Sequence, residues 1–77
     1  MSHAEIMRAI RYHKNMTQQE LADAIGVSVS SVKRIETGSM LMTPHIHWKL
    51  FTMFPLTQEI LSAIESVRQA QSFLADM

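Results

Sequence analysis

Cysteine is absent from this 77-residue chain, so neither a disulfide framework nor a thiolate zinc site is available to it. That absence fits a reducing, cytoplasmic setting. Glycine and proline number two each, and all four stand where a helix should begin or end: Gly26, Gly38, Pro44 and Pro55. No apolar run approaches the roughly 20 residues of a membrane span, and the opening MSHAEIMRAIRYH lacks the basic-then-apolar order of a secretory signal. Neither sign of charge predominates: seven Lys and Arg face seven Asp and Glu. Strong polyanion binders are usually basic, because neutralising phosphates drives much of their affinity. A nucleic-acid surface here would therefore be a local patch. Residues 1–38 hold Arg8, Arg11, Lys14, Lys33 and Arg34 against Glu5, Glu20, Asp23 and Glu36, while residues 39–77 hold Lys49 and Arg68 against Glu59, Glu65 and Asp76. A nucleophile–base constellation, a glycine-rich phosphate loop and paired carboxylates are all missing, which argues against an enzyme and against a cofactor or small-molecule ligand. The histidines are His3, His13, His45 and His47. His45 and His47 are two apart, which sends them to different faces of a helix, so no metal site is expected. Either could stand near a phosphate instead.

What is present is helical periodicity with well-marked boundaries. Ser2 and Glu5 form a capping-box pattern, and Ile6 and Ile10 recur at helical spacing behind it. Asn15 is a plausible stop. Thr17 and Glu20 repeat the box, Leu21, Ala22 and Ile25 form an apolar face, and Gly26 supplies the left-handed exit. Val27 plugs the turn and Ser28 caps a third helix over about Val29 to Thr37, with Val32 and Ile35 inward and Gly38 at its end. Thr43 and Pro44 open a fourth helix with Ile46, Leu50, Phe51 and Phe54 in register, and Pro55 closes it. Thr57 caps a fifth. Ile60, Ile64, Val67, Gln71 and Leu74 alternate spacings of four and three, a heptad seam with one polar position. These signals give an all-α chain, a compact bundle of five helices around a central helix-turn-helix. Residues 1–55 form the bundle, and residues 56–77 form a C-terminal helix expected to dimerise. A core this small gains stability from a second copy. The same seam could instead fold back over the bundle.

Two short helices joined by a glycine turn, the second opening on small polar and basic residues, are the layout of a DNA-reading unit. The stretch TQQELADAIGVSVSSVKRIETG, residues 17–38, resembles the helix-turn-helix of the Cro and phage-repressor family, the xenobiotic-response-element-type regulators. The combination T-Q-x-E-L-A, then G-V-S, then I-E-x-G carries the likeness, which extends over residues 4 to about 54. The resemblance implies a lambda-repressor-like bundle that binds operator DNA, usually as a dimer. It implies that Ser28, Val29, Ser30, Lys33 and Arg34 face the major groove. It implies that Gln18 touches phosphate and braces the third helix, and that Arg11 and Glu36 form an ion pair tying the first helix to the third. Lysine and arginine can reach guanine O6 and N7, and Val29 can meet a thymine methyl. Thr17 and Lys14 are expected beside Gln18 on phosphate, at a helix N-terminus suited to anions. Many members carry a basic residue in the loop after the third helix, whereas this chain has Ser39, Met40, Leu41, Met42 and Thr43 there. Met42, Pro44, Trp48, Leu50 and Phe51 are similar to a subset of small phage and mobile-element regulators.

The expected function is a repressor that binds an inverted-repeat DNA operator as a homodimer through its third helix. The rival expectation is a protein-binding module, such as an antitoxin whose terminal helix covers a partner. Ile60, Ile64, Val67 and Leu74 are the expected dimer seam. Trp48, off the main stripe of its helix, suits either a core of shifted register or a dimer anchor. Met42 and Met53 are expected to fill gaps in the core, and Met40 and Leu41 to lie exposed near the dimer seam.

Overall fold

The computed structural model describes residues 2–75 and, beyond residue 66, the side chain of Gln69 alone. Among the described residues the chain is all-helical: α1 (His3–His13), α2 (Gln18–Ile25), α3 (Val29–Thr37), α4 (Pro44–Met53) and α5 (Gln58–Ala75). Each helix begins on a hydroxyl residue that accepts a hydrogen bond from a backbone N–H three residues on. Ser2, Thr17 and Ser28 do so at 3.1 Å, Thr43 at 3.2 Å and Thr57 at 3.3 Å. Such a cap contributes about 1 kcal/mol by satisfying one of the helix's free donors. In α1 and α2 the box is complete, because Glu5 and Glu20 accept from the N–H of Ser2 and Thr17. The exits are equally local. Gly26 and Gly38 take φ of 70° and 84°, and Asn15, between α1 and α2, takes φ 54°, a left-handed conformation asparagine tolerates better than most residues.

The core draws on all five helices. Met7 and Ile10 of α1, Leu21 of α2, Val32 and Ile35 of α3, Leu50 of α4 and Ile64 of α5 are its largest fully buried side chains. Each contributes about 1.5–3 kcal/mol by leaving water. Helix α1 packs against both α3 and α5. A helix between two neighbours needs more apolar surface than one stripe gives. This explains why Met7 and Ala9 are fully buried while Ile6 is only partly so.

Four expectations change. Ile60 and Ile64 are 2 % and 1 % exposed within the single chain, because the first turns of α5 fold back onto α1. Within the single chain they are core residues shared with the preceding helices. The side chains of Val67 and Leu74, on the rest of that seam, lie outside the described residues. Met53 is 53 % exposed, so it fills no gap, whereas Met42 is buried. Met40, expected to lie exposed, packs partly against the core, and Leu41 is 70 % exposed. Trp48 is 64 % exposed, which removes the shifted-register reading.

Candidate nucleic-acid interface

Helix α3 has a fixed inner face and an open outer one. Val32, Ile35 and Glu36 are buried. On the other side Ser30, Lys33 and Arg34 are exposed, and their spacing places them around one half of the helix. Val29 is half-buried against the core, so only part of it faces outward. Ser28 is exposed but engaged: its Oγ accepts from the N–H of Ser31 at 3.1 Å and lies 2.9 Å from the Ser31 hydroxyl. As the cap of α3, Ser28 is less free to meet a base than Ser30.

The start of α2 holds the expected phosphate contacts. Thr17 is exposed and Gln18 half-buried, and Lys14 is the exposed C-cap of α1. A tight turn separates Lys14 from Thr17, closed by hydrogen bonds from Asn15 N to Tyr12 O and from Met16 N to Arg11 O. The capping box engages the N–H groups of Thr17 and Glu20. Those of Gln18 and Gln19 then remain as the donors of the first turn. The Glu20 carboxyl sits below its ordinary pKa, chiefly because the Thr17 backbone N–H donates to it and secondarily because of the Thr17 side chain.

The outer face of α3 is held in place by Arg11. Its Nε and one terminal nitrogen each donate to a different Glu36 carboxylate oxygen at 2.8 Å, a bidentate pair with fixed geometry. Its Nη1 donates to the carbonyl of Met16 at 3.2 Å. One guanidinium thus joins α1, the turn before α2 and the last turn of α3. Glu36 is 5 % exposed, and its hydrogen bond to Arg11, more than the opposing loss of water, pushes the Arg11 pKa up. The Tyr12 ring lies 4.6 Å from the guanidinium carbon.

Three polar contacts escaped the sequence reading. Arg8 Nη1 donates to the carbonyl of Glu36 at 3.0 Å, so two cations of α1 converge on one residue of α3. Their i, i+3 spacing is the signal that could have shown it. The N–H of Met42 donates to Nδ1 of His3 at 2.8 Å, fastening the loop after α3 to the start of α1. Lys49 Nζ donates to the carbonyl of Gly26 at 3.0 Å. The last two pair residues far apart in the chain, and no spacing rule connects them. On α4 the rings of His45 and Trp48 stack with centroids 6.4 Å apart, and His47 sits edge-on to Phe51 at 4.6 Å. Among the described residues no cluster of three His, Asp or Glu could hold a metal ion, and no helix is long and apolar enough to cross a membrane.

Comparison with known protein families finds a match to a helix-turn-helix family over residues 7–50, a span that takes in α2, α3 and most of α1 and α4. Comparison with curated proteins and with solved structures gives no match.

Proposed function

The chain belongs to the Cro/C1-type helix-turn-helix family, and with it to the DNA-binding transcription regulators; from that premise we propose that it is a repressor of phage or mobile-element type, acting in the cytoplasm on an inverted-repeat operator as a homodimer. The observation that carries the proposal is the division of α3 into an anchored face and a polar, basic one. Lys33, Arg34 and Ser30 read bases, and Arg34 is suited to a bidentate contact with guanine O6 and N7. Thr17, Gln18 and Lys14 hold phosphate and set the register of the reading helix. Repression follows from occluding polymerase.

Two-fold sites need two reading helices about one helical turn apart, roughly 34 Å. The homodimer reading is supported by the surface around α4. Lys49 is the sole charged residue between Glu36 and Glu59, and Trp48 and Leu41 are widely exposed there. A face with so little charge brings little like-charge repulsion when it meets its own copy, and tryptophan is a frequent anchor of such contacts. The inward packing of Ile60 and Ile64 leaves less of α5 for covering a toxin.

Arg34→Ala tests the reading face. It should cost about 1–3 kcal/mol of binding to a duplex selected by the wild-type chain and relax preference at one base step. Unchanged binding by fluorescence anisotropy would remove Arg34 from the reading face.

A further inference from the structure

We infer that Lys49 is a positioning residue for DNA reading, holding the turn between α2 and α3 from outside the helix-turn-helix. The inference rests on the assignment of α3 as the reading helix.

Lys49 lies on α4, and its ammonium donates to the Gly26 carbonyl at 3.0 Å. Gly26 is the left-handed residue that ends α2, with φ 70°, and a methyl group built on it would sit 3.5 Å from the same Nζ. Around it, the N–H of Val27 is bonded to the carbonyl of Ala22 at 3.0 Å. The carbonyls at the end of a helix form its negative pole and attract a cation, yet α2 has no basic residue in its last turn. The cation comes from α4 instead. The Lys49 ammonium is turned toward the protein, and it is the sole formal charge between Glu36 and Glu59.

The position of this contact gives it a role in recognition. The start of α2 is assigned to phosphate and the outer face of α3, from Ser30 to Arg34, to bases, so the angle of the turn between the two helices converts one register into the other. Arg8 and Arg11 hold α3 at its C-terminal end through Glu36. Lys49 holds the turn just before its N-terminal end. The reading helix is thereby fixed from α1 at one end and from α4 at the other.

The test compares the full-length wild type with Lys49→Met, which keeps the stem and removes the donor, and Lys49→Arg, which keeps a cationic donor. The probes are the duplex that the wild type selects from a random library and a scrambled duplex of equal length, each titrated at several salt concentrations. Lys49→Met should lower the ratio of selected to scrambled affinity about fivefold, the scale of one net hydrogen bond. Its salt dependence should stay unchanged, and Lys49→Arg should recover most of the ratio. A slope shallower by about 0.9, with both duplexes weakened equally, would make Lys49 a phosphate contact and overturn the inference. An unchanged ratio would also overturn it. If the wild type selects no duplex, the DNA-reading assignment fails, and the positioning role falls with it. The brace itself is then read separately, as a change in the Gly26 carbonyl carbon shift and faster amide exchange at Val27 and Ser28 in Lys49→Met.

Discussion

Between Thr17 and Gly38 the chain carries five charged side chains, Glu20, Asp23, Lys33, Arg34 and Glu36; Leu21, Ile25, Val32 and Ile35 are buried there, and Val27 and Val29 pack partly against the core. Between Ser39 and Thr57 it carries one, Lys49, and Leu41, Trp48, Met53 and Leu56 stay exposed. The first segment buries what is apolar and shows water its polar and basic groups, as a surface for a polyanion must. The second leaves apolar area uncovered and nearly free of charge, as a surface for another protein chain does. A net charge of zero conceals this division. What matters for DNA is where the few cations stand. Arg8, Arg11 and Lys49 act inside the fold, and Lys14, Lys33 and Arg34 are left facing out.

The largest expected effect lies where the two kinds of cation are told apart. Glu36→Ala leaves the half-buried Arg11 guanidinium without its carboxylate and should cost about 3–5 kcal/mol in urea denaturation. A domain of this length has roughly 4–12 kcal/mol in total, so much of its stability would go. Replacing both partners, as Arg11→Met with Glu36→Leu, should cost less than Glu36→Ala alone, because no charge is stranded. A double variant less stable than the single one would contradict that account of the pair.

Next come two substitutions with opposite signatures. Ile64→Ala should destabilise the single chain by about 2–5 kcal/mol at every protein concentration. Trp48→Ala should leave monomer stability within about 0.5 kcal/mol and weaken self-association at least about tenfold, read by sedimentation equilibrium. Self-association weakened equally by both, or by neither, would erase the contrast between an inward seam and an outward face.

The smallest effect is acid-linked. The folded-state pKa of Glu20 is lowered by the Thr17 N–H and then by the Thr17 hydroxyl. Its contribution is therefore complete above the unfolded carboxylate value and lost as pH falls through the folded one. On acidification the amide signal of Thr17 should move as the box opens, and Glu20→Gln should abolish that movement. An unshifted Thr17 amide would show that Glu20 is not coupled to the cap.

Helix boundaries were readable because their causes are local. A hydroxyl at the cap, a carboxylate three residues on and a glycine at the exit act within one turn, and Ser2, Thr17, Ser28, Thr43, Thr57, Gly26 and Gly38 all serve as their spacing implies. Choice of packing partner is not local. The stripe of Ile60 and Ile64 states that α5 has an apolar face, and nothing in its period distinguishes α1 of the same chain from α5 of a second copy. Met7 was missed for a related reason, since one stripe on α1 serves one neighbour and the fold gives it two. At the candidate interface, Lys33 and Arg34 stood out because they lie off the Val32 and Ile35 stripe of a short helix. The contacts of Arg8, His3 and Lys49 with backbone groups of distant turns depend on where the fold brings those turns.

The property on which repression and the Lys49 brace both rest is the reading of duplex DNA by α3. It is tested most directly by presenting the purified chain with random duplexes at two salt concentrations and sequencing what is retained. Recovery of a palindromic site by the wild type, and its loss in the Lys33→Ala/Arg34→Ala double variant with helicity intact, is the result expected. Retention of no sequence over another at low salt, or a site recovered equally by the double variant, would contradict it.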